Sequence, residues 1–390
     1  MTQHRIINDD VLTWADQPVK SKFHAMLCDP PYHLTSIVKR FGKKGSAPAK
    51  HGTDGVFQRS SSGFMGQEWD GGDIAFNPET WALLGEHLYD GAFGMAFAAS
   101  RNWHRLAVAI EDAGFIIHPT IFLWAQGQGF PKATRIDKKA NDERWSGHRY
   151  GLQALKPSVE PIIVFQKSYN GKPLDNMIET GAGALNIDGA RIPLANEDDE
   201  YVINTFDDGA KPWGDAKGEK YTSRKVGKRN QHQGDARTPR GAGMFGEGTP
   251  VITYPIPEQG RWPANFMLTD ETAEKMGEES RFFYTVSDTL NDGDPVFYCP
   301  KASPSEKTAG LDERSNHPTH KPIDLCRYLA TLLLPPDMYA PRQILIPFSG
   351  VGSEMIGAGL AGWDRILGIE KDTEQGYIDI ANKRLEHWLK

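Results

Sequence analysis

The 390-residue chain has little cysteine: Cys28, Cys299 and Cys326 only. They lie far apart and form no Cys-x-x-Cys pair, which excludes a disulfide scaffold and the common zinc spacings. A reducing, cytoplasmic setting is the expectation. No apolar run is long enough to cross a bilayer, and no signal peptide is read at Met1–Arg5, so no membrane partner is expected. Net positive charge is lacking too. The chain has 44 Lys and Arg against 51 Asp and Glu, a formal charge of −7, which excludes a uniformly basic nucleic-acid coat. No internal repeat is evident, which excludes a solenoid. What is there is 39% hydrophobic residues, enough for a sizeable core, over a length that allows two or three domains.

The charge is unevenly spread. Lys211–Arg240 holds nine basic residues against three acids, and Lys39–Arg59 six against one. Such segments on an acidic body suit a polyanion footprint confined to one cleft; Lys211–Arg240 reads equally as a solvated loop, while the footprint is the favoured reading of Lys39–Arg59. Strand-like and helix-like stretches alternate, which predicts an α/β doubly wound sheet. Strands are expected at 4–7, 24–28, 91–98, 115–124, 159–166, 342–346 and 365–369, with 115–124 and 159–166 pairing as a closing hairpin. Helices are expected at 79–89, 101–113 (with Leu106, Val108, Ala109 and Ile110 apolar), 323–334, 354–361 and 373–389. Residues 38–63, rich in Gly, Ser, Lys and Ala, read as a mobile flap. Residues 168–300, rich in Gly, Pro, Asn and charge, read as an insertion. The expected organisation is therefore a first core part at 1–167, the insertion at 168–300, and a second core part at 301–390.

The sharpest local signal is Asp29-Pro30-Pro31-Tyr32, directly after the apolar run His24–Cys28. Two prolines stop a strand in a rigid turn, because proline lacks an N–H and restrains the residue before it. That turn sets one carboxylate, one free carbonyl and one aromatic ring at the mouth of a sheet, a set able to grip a planar amine. A second signal lies near the other end. The strand Arg342–Ile346 runs into Pro347-Phe348-Ser349-Gly350-Val351-Gly352-Ser353 and then a helix. A glycine-rich turn between strand and helix lets backbone amides approach a ligand. The following strand ends in Glu370 and Lys371, where an acid in nucleotide-type folds takes ribose hydroxyls. Between the two signals stands Asn316-His317-Pro318-Thr319-His320-Lys321-Pro322.

This ordered set resembles the β group of S-adenosylmethionine-dependent DNA amino-methyltransferases, in which the catalytic tetrapeptide precedes the cofactor loop. Phe64–Asp70, Gln126–Lys132, Gly183–Gly189 and Gly260–Asn265 are similar to a branch common in bacteriophages and prophages, whose setting would be the host cytoplasm. The resemblance implies a mostly parallel, seven-stranded, circularly permuted sheet with one antiparallel hairpin strand. It also implies target recognition within 168–300 and double-stranded DNA as partner, and it is compatible with a homodimer.

For the site, the resemblance implies that Asp29 and the Pro30 carbonyl accept the amine hydrogens of a flipped base. Pro31 completes the rigid turn, and Tyr32 stacks on that base. S-adenosylmethionine, released as S-adenosylhomocysteine, would be held by Asp10 at its adenine amine, and by Phe348, Ser349, Gly350, Gly352 and Ser353 in the glycine turn. Glu370 with Lys371 would take its ribose, and Thr319, His320 and Lys321 its carboxylate, with Asp29 lining the same site. Asp10 reads equally as a turn acid, and Lys321 as a helix-start lysine. No metal is expected. The family's usual acid before the Pro-Phe of the loop is replaced by Ile346, with Ser353 or Glu354 as possible substitutes. Asp rather than Ser at the head of the tetrapeptide favours adenine N6 over cytosine N4. The Ile346 departure leaves a catalytically degenerate DNA-binding regulator as a third reading.

Overall fold

The computed structural model describes residues 2–32, 74–125, 131–192, 261–286, 302, 304–311, 320–372 and 376–390, and the backbone of four short strands between 201 and 252. The expected flap at 38–63, the Phe64–Asp70 segment and Thr319 lie outside the described residues. The chain divides into two compact units, Met1–Ala190 with Ala264–Lys390, and Arg191–Pro263. The expected insertion at 168–300 therefore contains the whole second unit and also stretches that belong to the first.

The first unit is built on one sheet. Its strands are β1 (Gln3–Asn8), β2 (Phe23–Cys28), β3 (Leu88–Phe97), β4 (Phe115–Ile117) and β5 (Phe122–Ala125). A separate hairpin, β6 (Lys132–Arg135) and β7 (Arg149–Gln153), precedes β8 (Val159–Lys167). In the second unit β9 (Tyr201–Thr205) pairs with β10 (Thr222–Val226), and β11 (Arg237–Arg240) with β12 (Thr249–Ile252). The main sheet is completed by β13 (Phe266–Thr269), β14 (Tyr284–Val286), β15 (Gln343–Pro347) and β16 (Arg365–Glu370).

The order across this sheet is β1-β16-β15-β2-β3-β8-β5-β13-β14, with β4 beside β8. Every pairing along it is parallel except those made by β8, the one antiparallel strand. The doubly wound, mostly parallel and permuted sheet is thus present, with ten strands where seven were expected. The short strands β13 and β14 extend one edge. The expected long strand 115–124 splits at His118-Pro119-Thr120, and both halves pair antiparallel with β8, as a closing hairpin requires.

Helices cover both faces. Val11–Ala15 (α1), Pro78–Glu86 (α2) and Trp103–Asp112 (α3) pack on one side through Val11, Trp14, Trp81, Leu84, Leu106, Ala109 and Ile110. Val108, expected in that face, is instead exposed. After Pro173–Thr180 (α4), the helices Ile323–Leu333 (α5), Ser353–Ala361 (α6) and Tyr377–Trp388 (α7) follow. The second core contains Leu325, Leu329, Met355, Ile356 and Leu385 from α5–α7. Sandwiching explains why β2 is buried along its whole length. Ala25 and Leu27 serve one core, Met26 and Cys28 the other. By the same alternation Ile346 belongs to the α5–α7 core, fully buried. Among the described residues no helix is long and apolar enough to cross a membrane.

The α5–α6 contact is close because Gly357 has no side chain. A Cβ there would lie 2.5 Å from the Cβ of Cys326 and 2.6 Å from the backbone nitrogen of Arg327. Gly→Ala inside a helix ordinarily gains about 1 kcal/mol. Gly357→Ala is expected instead to cost about 1–3 kcal/mol through overpacking. Gly359→Ala meets only the end of the Leu389 side chain and is expected to be neutral or stabilising. Chemical denaturation of both variants checks this; equal effects would contradict the packing account.

Candidate functional site

The strand order reverses between β15 and β2. From β15 the chain proceeds outward to β16, and from β2 in the opposite direction to β3. In open α/β sheets such a reversal leaves a crevice at the carboxyl ends of the strands. Here those ends carry Phe348–Gly352 after β15, Asp29–Tyr32 after β2, and Glu370–Lys371 at the end of β16. The registers Ile344↔Ala25 and Leu345↔Met26 fix the first two side by side. Two segments more than three hundred residues apart in sequence thus share one crevice.

The loop after β15 is held from within. Phe348 adopts φ 59°, a left-handed conformation unusual for a bulky residue, and Gly350 and Gly352 have φ 48° and 80°. Ser349 donates its backbone N–H to Ile369 O (3.0 Å), and Gly350 donates its own to Glu370 Oε2 (2.6 Å). Burial pushes the Glu370 carboxyl up to about 7, opposed by that Gly350 N–H and reinforced by Asp372. Ser349 is buried, and among the described residues its hydroxyl has no hydrogen-bond partner. From α7 the fully buried Arg384 donates to Val351 O (2.5 Å) and Ser353 Oγ (3.3 Å), clamping the turn. Asp10 caps α1 through Leu12 N (3.0 Å) and pairs with Lys371 (3.0 Å). Burial would raise its carboxyl, but Lys371 and the Leu12 amide outweigh it and hold it below its ordinary value.

The turn after β2 carries a different network. Lys321 donates to Asp29 Oδ2 at 2.5 Å and to the Tyr32 hydroxyl at 3.1 Å. Its ammonium lies 5.2 Å from the centre of the Tyr32 ring and 4.9 Å from that of Phe97. Asn102, just before α3, donates to the Tyr32 carbonyl (2.5 Å) and pins the turn. Asp29 Oδ1 is buried and, among the described residues, has no hydrogen-bond partner. Lys321, read from the sequence as a candidate for the cofactor's carboxylate, has its ammonium on Asp29 and Tyr32 in this structure. His320 beside it is buried.

Glu354, in the first turn of α6, is buried and interacts electrostatically with both Asp29 and Lys321. Burial and the Asp29 carboxylate push its carboxyl up to about 7, with Lys321 pulling the other way. Burial would likewise discharge Lys321, but Asp29, Glu160 and Glu354 outweigh it and keep the ammonium above its ordinary range. The Tyr32 phenol is raised by burial and by the Asp29 and Glu160 carboxylates. Among the described residues no cluster of His, Cys, Asp and Glu is arranged to hold a metal ion.

Sequence reasoning missed Arg384, Asn102 and Glu160. Arg384 sits in a polar-looking helix, and its burial has no signal at the level of sequence. Glu160 opens β8, whose register with β3 brings it to the same end of the sheet.

No protein-family model matches the chain, and no curated protein matches it. Among solved structures it is similar to M1.HpyAVI (12% identity, 98% of each chain covered, TM-score 0.40) and to the M1.HpyAVI–SAM complex (14%, 98% of this chain and 100% of that one, TM-score 0.39). It is also similar to PvuII DNA methyltransferase, cytosine-N4-specific (11%, 99% of this chain and 94% of that one, TM-score 0.42). With overlays this loose, the fold is defined by the chain's own strand order.

Glu354 and Glu370 both hold protons more tightly when folded than their ordinary 4.5. Between about 4.5 and 7 these two carboxyls therefore carry more protons in the folded chain than in the unfolded one, and their contribution to stability falls as pH rises through that window. Glu354→Gln and Glu370→Gln are each expected to flatten this fall, read as thermal midpoint against pH. A slope as steep as the wild type's in both variants would contradict these assignments.

Proposed function

We propose that the chain is an S-adenosylmethionine-dependent DNA methyltransferase acting on the exocyclic N6 amine of adenine. The observation that carries this reading is the placement of the Asp29–Tyr32 turn, with its buried, unpartnered Asp29 Oδ1, beside the glycine turn at the reversal point of the sheet. One segment offers an acceptor for an amine and the other a cradle for a nucleoside-like cofactor, within one crevice.

The residues fit such a cofactor. Ser349 presents a buried hydroxyl without a partner among the described residues, and Glu370 presents a carboxylate at the strand end suited to ribose hydroxyls. The cofactor supplies an electrophilic methyl group. Asp29 accepts an amine hydrogen of the base and, with the Pro30 carbonyl, draws the nitrogen lone pair out of conjugation with the ring. The Asp29 charge then stabilises the positive charge developing on that nitrogen. Tyr32 offers its ring to the base, which must leave the duplex to reach the crevice. Asp at the head of the tetrapeptide, where the resembled cytosine enzymes have Ser, supports adenine.

A DNA partner is supported by the segment between β5 and β8. The registers Ala125↔Val159 and Phe97↔Ile162 place its two ends at the same end of the sheet as Asp29. Residues 131–156 carry seven Lys and Arg against three acids. Asp137 and Asp142 are already paired with Arg135 and Arg144. Trp145 and Tyr150 stand exposed beside them. Positive charge with exposed aromatics suits a phosphate backbone on a chain that is acidic overall. Modification of the cell's or a phage's own DNA is the biological role this reading suggests, in the cytoplasm.

The test is incubation of purified protein with methyl-labelled cofactor and duplex DNA, followed by digestion to nucleosides. Label in N6-methyladenine, lost in Asp29→Ala, is the expected result. Label only in N4-methylcytosine would overturn the adenine assignment, and no labelled nucleoside would overturn the reading as a whole. Lys138→Ala with Lys139→Ala is expected to weaken DNA binding and reduce its salt dependence, read by fluorescence anisotropy across a salt series. An unchanged salt slope would remove this segment from the DNA surface.

A further inference from the structure

We infer that Lys321 is a positioning residue of the base pocket, holding Asp29 by one oxygen so that the other faces the target amine. This rests on the methyltransferase reading of the site. A carboxylate has two oxygens, and those of Asp29 are treated differently. Oδ2 takes the Lys321 ammonium at 2.5 Å, while Oδ1 is buried with no partner among the described residues. A buried acceptor left unsatisfied is costly, and at a crevice it marks the place of an absent donor. An exocyclic amine is such a donor.

Lys321 also fixes the second half of the pocket. The same ammonium donates to the Tyr32 hydroxyl at 3.1 Å, so the ring proposed to stack on the base and the acid proposed to take its hydrogen share one anchor. The ammonium is caught between the Tyr32 and Phe97 rings, and its side chain is only 6% exposed. Reaching a cofactor carboxylate elsewhere would break both bonds and both ring contacts. Three carboxylates converge on it: Asp29 from the end of β2, Glu160 from β8 and Glu354 from α6. Arg384 of α7 also acts on Glu354, more weakly than Lys321 does. Lys321 is thus the cation that keeps Asp29 from facing Glu354 uncompensated.

The experiment compares wild type, Lys321→Met and Lys321→Arg in three measurements: affinity for S-adenosylhomocysteine by calorimetry, kcat and KM on duplex DNA at saturating cofactor, and nitrogen-15 spectra of the lysine ammonium groups. The wild type is expected to show an exchange-protected ammonium signal that vanishes in Lys321→Met and loses protection in Asp29→Asn. Lys321→Met is expected to bind S-adenosylhomocysteine within about threefold of wild type, which also reports that it folds, and to lose on the order of a hundredfold in kcat. Lys321→Arg keeps the charge inside the pocket, serves if the Met variant does not fold, and is expected to show the same split at smaller cost. A parallel loss of cofactor affinity and turnover, or no protected ammonium in wild type, overturns the positioning role alone. A wild type that binds no S-adenosylhomocysteine and methylates nothing overturns the reading of the site beneath it.

Discussion

The parallel pairing of β2 with β15 is the constraint on which the site depends. Two strands from opposite ends of the chain run side by side, and each stops at the same edge of the sheet. One stops because of two prolines, the other because of a strained Phe348 and two left-handed glycines. Neither stop would matter alone. Together, at the point where the strand order reverses, they put a buried carboxylate and a glycine-rich turn in a single crevice.

Around that crevice the charges form one coupled set. Asp29, Glu160, Glu354 and Lys321 come from four separate elements, and the sheet brings them to one place. Lys321 is the cation among these buried acids, which is why its ammonium is retained despite burial. Arg384 does related work one layer back, where it ties the glycine turn to the last helix through Val351 and Ser353. The hydrophobic cores on either side hold these groups in place. Ile346 belongs to that structural layer; its side chain packs under α5 and α6, so the acid missing at this position is supplied nowhere along the strand itself. Glu354, beyond the glycine turn at the start of α6, is the buried acid nearest in sequence among the described residues.

Much of this was legible in the sequence because the signals are local. An apolar run broken by Pro-Pro, and a strand followed by Gly-x-Gly, each dictate backbone geometry within a few residues. The alternation of strands and helices likewise gave the doubly wound sheet. What was not legible depends on long-range approach. Lys321 lies 292 residues from Asp29, and its flanking prolines say nothing of where its side chain goes. Arg384 reads as a surface residue of an amphipathic helix until α7 is packed on α6. Strands β13 and β14 are too short to stand out from the polar insertion that surrounds them in sequence. Pro119 was visible, but apolar residues on both sides of it masked the break between β4 and β5.

On the proposed function, one crevice, between the Phe348–Gly352 turn and the Asp29–Tyr32 turn, holds both cofactor and base. The most direct measurement is a crystal structure with S-adenosylhomocysteine bound. The ribose is expected at Glu370, the amino-acid portion against the glycine turn, and the sulfur facing the Oδ1 side of Asp29. A cofactor bound outside the carboxyl ends of β15 and β16, or one whose sulfur faces away from Asp29, would contradict it.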